Sequence, residues 1–386
     1  MTNFVLVLRK KESVASLHFR SLLVDRPHPN AQCESVSTVL PSSTSAEDYI
    51  AVVNEFVLLL ISGQRVIVWN WVTGKCHAKL DSIMPGALEE AILLQRTAFM
   101  AFGQDDNTHK LELYTFSANE PTTDEPPPIL RAVFFLPSLQ DGVEMTLQCR
   151  CNPPPFQYAH LVHPDMSSIP IDPPCYFRRP FRIQESSRIV TLMLTLRSEY
   201  DTEESRDIAI VVPLQTFIST DLDPETPQGD PRVVPAAEWM RSSQVLAGIP
   251  LSEQWVYGTR FATLSPDQYL CICDFNPATI AYLKYHQERK RSEDRAKGGE
   301  GVPLKDNEEI IEWKAGNTDV GLVLSGADIT DEMFFKEPLQ SGIPFLMSVS
   351  DEKFDIAPNE TQGVMIDDER ILIVRVCGST SVHEWH

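Results

Sequence analysis

Apolar residues in this chain fall into short runs, and most of the runs alternate with polar positions. In Val66-Ile67-Val68-Trp69-Asn70-Trp71, both alternate sets are nearly all apolar, with Asn70 the one polar residue. That is the pattern of a strand covered on both faces. Thr73-Gly74-Lys75 follows as a tight turn in which Gly74 is free to take a positive φ, and Cys76 to Leu80 begins the next strand. The same unit recurs. LHFRSL begins at Leu17, VIVWNW at Val66 and LELYTF at Leu111, a spacing within the range of blades built from four short strands. Further copies start at Ile208, Leu270, Val320 and Ile371; in the copy at Leu270, Asp274 stands where Asn70 does and Phe275 where Trp71 does.

Between these starts lie other strand-like runs: Val5 to Leu8, Ala51 to Val53, Phe56 to Ile61, Ala91 to Gln95, Ala98 to Phe102 and Arg131 to Leu136. The expectation is an all-β chain, a β-propeller of about seven blades, or eight if the proline-dense insertion hides another. A single domain over residues 1–386 is expected, with insert loops at 150–180 and 286–309. Ile67, Trp69 and Trp71 are expected in the core, with Trp69 packed between neighbouring blades. Ala281 to Lys297 is the best helical candidate, but its apolar start gives way to charges. His286 to Glu309 therefore reads as a mobile polar loop, open to proteolysis.

Composition supports the β reading: 29 prolines against 17 glycines suit a loop-rich chain, and 42% hydrophobic residues suffice for a core. A net charge of −21 argues against nucleic acid, since a chain so acidic repels phosphates unless its basic residues are segregated. Arg289-Lys290-Arg291 sits among Glu288, Glu293 and Asp294 and reads as a solvated face. Phe4 to Leu8 is followed by Arg9-Lys10-Lys11, the wrong charge order for a secretory signal, and Phe56 to Ile61 is too short to span a bilayer. The eight cysteines lie mostly in apolar, strand-like contexts, as small hydrophobes. A soluble protein of the reduced cytoplasm or nucleus, with no membrane partner, is the expectation.

The motifs of common chemistry are missing. There is no phosphate-binding glycine loop and no G-x-S-x-G elbow. His160 and His163, with Cys149, Cys151 and Cys175, have the ligand types of a zinc site, but Cys-x-Cys is not its usual spacing. Loop histidines and core thiols are the plainer reading. Asp367-Asp368-Glu369-Arg370 reads as a hairpin turn rather than a carboxylate site. In Trp255 to Arg260, Gly258 permits a bulge or close approach, and Arg260 is placed to anchor a neighbouring blade. The triplets Pro126 to Pro128 and Pro153 to Pro155 read as stiff loop. No catalytic, cofactor-binding or metal residue is nominated: the expectation is a non-catalytic protein without cofactor or metal.

VIVWNWVTGK resembles a degenerate WD-repeat strand, with Trp69-Asn70 in place of Trp-Asp. The order of motifs resembles the C-terminal propeller-like region of fungal F-box proteins. The matching pieces are Leu6 to Leu8, Leu17 to Leu22 with His28-Pro29, Val68 to Trp71 with Thr73-Gly74, Phe135 to Pro137, Val256 to Arg260, Asp274 to Pro277, and Val364 to Ile371. In that family an N-terminal F-box binds the adaptor of a cullin-type ubiquitin ligase, and the C-terminal region is presumed to select targets. The resemblance implies a protein-interaction propeller of the target-recognition kind. Only Met1-Thr2-Asn3 precedes the first strand, so direct binding of the ligase adaptor is not expected. The alternatives are a stand-alone propeller scaffold unconnected with ubiquitination and, behind it, an enzyme with a site at the channel mouth.

Overall fold

The computed structural model describes residues 4–11, 14–21, 26–39, 49–53, 55–82, 88–105, 108–121, 123–151, 187–199, 205–218, 229–247, 255–265, 267, 269–296, 310–315, 318–323, 332–339, 342–353, 361–366, 370–375 and 380–384. Its framework is all-β, a succession of antiparallel meanders with the blade construction of a β-propeller. Contacts cluster into two compact units. One is built on Met1–Leu136 together with the segment that carries Arg232–Val234; the other is built on Pro137–Pro153, Phe181–Phe217 and Ala236–His386.

In the first unit, β1 (Phe4–Lys11), β2 (Val14–Ser21) and β3 (Ser35–Val39) form a first sheet. Strands β4 (Tyr49–Val53), β5 (Phe56–Ile61), β6 (Arg65–Asn70) and β7 (Lys75–Asp81) form a second. A third holds β8 (Leu88–Gln95), β9 (Ala98–Asp105), β10 (Thr108–Thr115) and β11 (Ile129–Phe135).

The second unit opens with β12 (Val143–Arg150), β13 (Ile189–Ser198) and β14 (Ser205–Pro213), followed by a helix α1 (Leu214–Ile218). The chain then places β15 (Arg232–Val234) parallel to β11, on the edge of the third sheet. After α2 (Ala236–Trp239), β16 (Gln244–Ala247) completes the fourth sheet beside β14. The fifth sheet is made by β17 (Trp255–Tyr257), β18 (Arg260–Leu264), β19 (Tyr269–Asp274), β20 (Ile310–Ala315), β21 (Thr318–Val323) and β22 (Phe345–Lys353), with helix α3 (Pro277–Ala296) between β19 and β20. Strands β23 (Thr361–Ile366), β24 (Arg370–Arg375) and β25 (Thr380–Glu384) form the sixth.

The second sheet is apolar on both sides, as its sequence dictates. Val57, Leu59, Ile61, Ile67, Trp69 and Trp71 pack against Ala15, Leu17, Phe19 and Val36 of the first sheet. Phe56, Leu58, Leu60, Val66 and Val68 pack against Leu93, Phe99, Tyr114 and Phe116 of the third. Each large side chain so buried contributes roughly 1.5–3 kcal/mol of transfer free energy. Trp69 lies between two sheets, as expected. In the second unit, Ile189, Ala209 and Val211 meet Val256, Phe261, Phe275 and Phe345.

The repeat read from sequence has a structural counterpart. In three of the aligned strands the closing aromatic residue sends its N–H back to the preceding hairpin: Trp71 to the Glu55 carbonyl at 2.8 Å, Phe116 to Thr97 at 3.0 Å, Phe275 to Thr259 at 2.8 Å. Asn70 Oδ1 accepts from the Val72 and Thr73 amides at 3.0 and 3.1 Å, and Asp274 Oδ1 accepts from Asn276 at 2.9 Å. These side-chain turns are why Asn and Asp recur at this position.

Three expectations change. Six sheets stand among the described residues, and one takes in two predicted units: β22 pairs with β19 on one edge and β21 on the other, bringing the copies at Leu270 and Val320 into one sheet. Residues 286–296 of the expected 286–309 loop are helical, within α3. Asn276 caps its start, accepting from the Ala278 amide at 3.0 Å, Pro277 opens it, and Arg289 pairs with Glu293 one turn on at 2.9 Å. This cap and this i,i+4 pair support a helix that buries Ile280 in its first turn. Residues 297–309 lie outside the described residues. Finally, Arg260 turns to Asp274, its partner across β18 and β19, at 3.6 Å rather than to a neighbouring blade. The neighbouring sheet is reached instead by the Gly258 carbonyl, which accepts from the Ile189 amide at 2.9 Å, with Gly258 at φ 62.

Candidate functional site

The cleft that stands out lies wholly in the first unit, beside the first and second sheets, with a volume of about 730 Å³. Ser35 to Thr38 of β3 line one side; Trp69 of β6, then Lys75 and Cys76 of β7, carry the lining on to Asp124 and Glu125 of the β10–β11 connection.

The approach to β3 is strapped down. The His28 amide donates to the Phe19 carbonyl at 2.9 Å, and the Gln32 amide donates to Val72 at 2.8 Å. His28 is buried and meets the edge of Trp71 with ring centroids 5.1 Å apart. Across the cleft, the Lys79 amide donates to the Pro126 carbonyl at 2.9 Å, so residues around Pro126 run along the outer edge of β7. The stiff proline triplet at 126–128 thus has a structural task.

Strand β3 is the outer member of its sheet, and two contacts fix which of its backbone groups face outward. Phe19 N–H bonds the Glu34 carbonyl at 3.0 Å, directing Glu34 toward β2, while Arg65 Nη1 donates to the Val39 carbonyl from the other side. Backbone direction alternates along an antiparallel edge strand. Val36 and Thr38 therefore point to β2, and Ser35 and Ser37 turn both N–H and C=O toward the cleft. The close Ser16–Ser37 hydroxyl contact at 2.9 Å agrees, since side chains approach most closely at non-hydrogen-bonded pairs. Among the described residues, no backbone partner meets Ser35 or Ser37 on that side.

The charges around the cleft are mostly paired. Lys75 binds Glu120, Arg65 binds Asp81, and Lys79 binds Glu125 at 2.6 Å. Asp124 is exposed and has no ion-pair partner among the described residues. Burial pushes the Cys76 thiol up to about 11, and its Sγ–H donates to the Ala78 carbonyl at 3.4 Å. At neutral pH it is a protonated thiol and a poor nucleophile. The arrangement offers backbone donors and acceptors, hydroxyls, an indole and one free carboxylate.

The residues weighed for chemistry from sequence do not assemble. Cys149 is buried in β12, and Cys151 accepts a hydrogen bond from the buried Arg188 Nη2 at 3.4 Å. His160, His163 and Cys175 lie outside the described residues, as do Asp367 to Glu369 and Pro153 to Pro155. Among the described residues, no group of three His, Cys, Asp or Glu side chains is placed to hold a metal. Neither β3 nor Asp124 is among the residues that the sequence singles out. The signal for β3 was present in the alternating, β-branched Ser-Val-Ser-Thr-Val; nothing in the polar stretch 117–128 marked Asp124.

Two buried histidines of this unit give a pH prediction. Burial holds both His28 and His109 below the ordinary imidazole value. The unfolded chain protonates them near pH 6.5, before the folded chain does. Their contribution to stability is therefore complete above that pH and is lost as pH falls through it toward the lower folded values. Urea midpoints are expected to drop between pH 7.5 and 5.5, a window in which ordinary carboxylates do not titrate, and His28→Asn with His109→Asn is expected to flatten the slope.

No family model matches the chain, and no curated protein does. Solved structures similar to it include the computationally designed Ika8 protein, at TM-score 0.33 and 10% identity, covering 98% of this chain and 83% of that one. Others are the Myceliophteria thermophila Cps50 (Swd1) β-propeller domain, at 0.31 and 10% with both chains covered in full, and BamB from Moraxella catarrhalis, at 0.30 and 8%, covering 99% and 84%. Likenesses at such TM-scores carry no argument. The class, an all-β chain of blade-like sheets, rests on the strand order itself.

Proposed function

We propose that this chain is a non-catalytic protein-interaction domain on a propeller scaffold, and that its cleft binds a polypeptide partner. The observation that carries the reading is the outward-facing backbone of Ser35 and Ser37 in an open cleft, with the uncommitted carboxylate of Asp124 across from it. In line with the resemblance of its motifs to the C-terminal region of fungal F-box proteins, the task proposed is target recognition. The setting proposed is the cytoplasm or nucleus, supported by six cysteines that form no disulfide among the described residues. Among those residues, no helix is long and apolar enough to cross a membrane.

Affinity capture of the full chain from cells, quantified by mass spectrometry, tests this. A polypeptide partner held near one-to-one at moderate salt is expected. A cullin-ligase adaptor in the same complex would tie the domain to ubiquitination, and its absence would make the domain a free scaffold. Recovery of the chain alone contradicts the reading.

A further inference from the structure

The outer edges of the three sheets in the first unit are not treated alike. On the third sheet, β11 is covered by β15, delivered from almost a hundred residues along the chain and paired in parallel at Ala132–Arg232, Val133–Val233 and Phe134–Val234. On the second, the Lys79 amide of β7 is met by the Pro126 carbonyl. On the first, among the described residues, the Val39 carbonyl at the end of β3 has an outside partner, Arg65, while Ser35 and Ser37 have none on that side. The first sheet has three strands where the second has four. A short strand with two consecutive outward-facing positions offers two N–H donors and two C=O acceptors, the register an added strand reads.

We propose, resting on the polypeptide-binding reading, that the cleft takes an extended basic segment of a partner protein as a fourth strand on β3. Its backbone bonds to Ser35 and Ser37, and alternate side chains lie against Trp69 and the β10–β11 connection. Charge complementarity selects a basic segment. Lys75 and Lys79 are held by Glu120 and Glu125, so the free charge at the rim is the carboxylate of Asp124, on a chain whose net charge is −21. A Lys or Arg on the added strand reaches it, while an acidic segment meets like charge.

The test is fluorescence polarisation on the full chain with a labelled heptapeptide of alternating Val and Lys. Two further peptides carry N-methyl groups on one or the other alternate set of amides, and a fourth has Glu in place of Lys. The Val/Lys peptide is expected to bind. Methylation of one alternate set should abolish binding and that of the other leave it, and the Glu peptide should bind at least fivefold more weakly. Ser37→Pro removes an N–H that β2 does not use, so it should weaken binding at least tenfold with thermal stability retained; Asp124→Lys should weaken it at least fivefold. The methylated peptides need no variant, so a misfolded Ser37→Pro chain does not spoil the test. Equal binding of the methylated pair, no preference for Lys over Glu, or no binding at all would overturn the proposal. Protection of the Ser35 and Ser37 amides in the free chain, showing the edge filled by the chain itself, would overturn it too. If a captured partner also survives Ser37→Pro, strand addition fails and the interaction reading stands; if no partner is captured, that reading itself fails.

Discussion

Replacing Trp69 by Ala is expected to destabilise the protein by about 3–5 kcal/mol, the range for truncating a large buried aromatic. The indole is 5% exposed, on the side of β6 that meets the first sheet, in one cluster with Leu17, Phe19 and Val36. Its loss removes packing shared with Val36 of β3, beside which the Arg65–Val39 bond remains, and leaves a cavity that the paired strands cannot collapse to fill. Domains are stable by only about 5–15 kcal/mol, so the shift in urea midpoint should be large. Tyr282→Ala is the control: that ring is 62% exposed on α3, and its removal is expected to cost less than about 0.5 kcal/mol. A Trp69→Ala midpoint near that of the wild type would show that the seam between the two sheets does not depend on the indole.

Gly74→Ala is expected to cost about 2–4 kcal/mol, from two separable sources. Gly74 has φ +72, a left-handed conformation that L side chains rarely adopt, and a Cβ built there would stand 2.7 Å from Cys33 Sγ and 3.0 Å from Cys33 Cβ. The backbone cost stays whatever surrounds the residue, whereas the clash with the sulfur depends on Cys33. In a double-mutant cycle, Cys33→Ala should recover part of the loss, leaving about 1–2 kcal/mol for the left-handed backbone. Full recovery would mean that the turn tolerates a side chain and only the sulfur excludes it. No recovery would place the cost in the backbone together with the 3.0 Å contact to the Cβ at position 33, which Ala retains.

Gly74 was legible in the sequence, and so was the strand before it, because a run apolar at every position but Asn70, followed by Thr-Gly-Lys, has few other solutions. The equivalence of Trp71, Phe116 and Phe275 was legible for the same reason: each is the aromatic stop of an apolar run, and each closes a hairpin in the same way. Strand β22 was less visible. Phe345 to Lys353 breaks into Ser-Val-Ser-Asp-Glu-Lys, and its place in the fifth sheet is set by long-range pairing with β19 and β21, which local periodicity does not encode. Helix α3 was half visible, since its apolar start marks a helix, while its capping by Asn276 and its Arg289–Glu293 pair are polar features that a search for a buried face passes over.

The cleft was the least legible part. It depends on which side of β3 each carbonyl faces and on a carboxylate brought across from residue 124, both consequences of pairing rather than of composition. Buried polar positions such as His28 are similar: His28-Pro29 was visible as a motif, but the contact with Trp71 that burial imposes was not.

Residue-resolved hydrogen exchange on the uncomplexed full chain reads the cleft-facing edge of β3 amide by amide. Amides turned toward β2 are hydrogen-bonded and those turned to the cleft are not, so protection should alternate along the strand. Slow exchange is expected at Val36 and Thr38 and fast exchange at Ser35 and Ser37. Uniform protection from Ser35 to Val39 would contradict a free edge, because something would then already be paired along it.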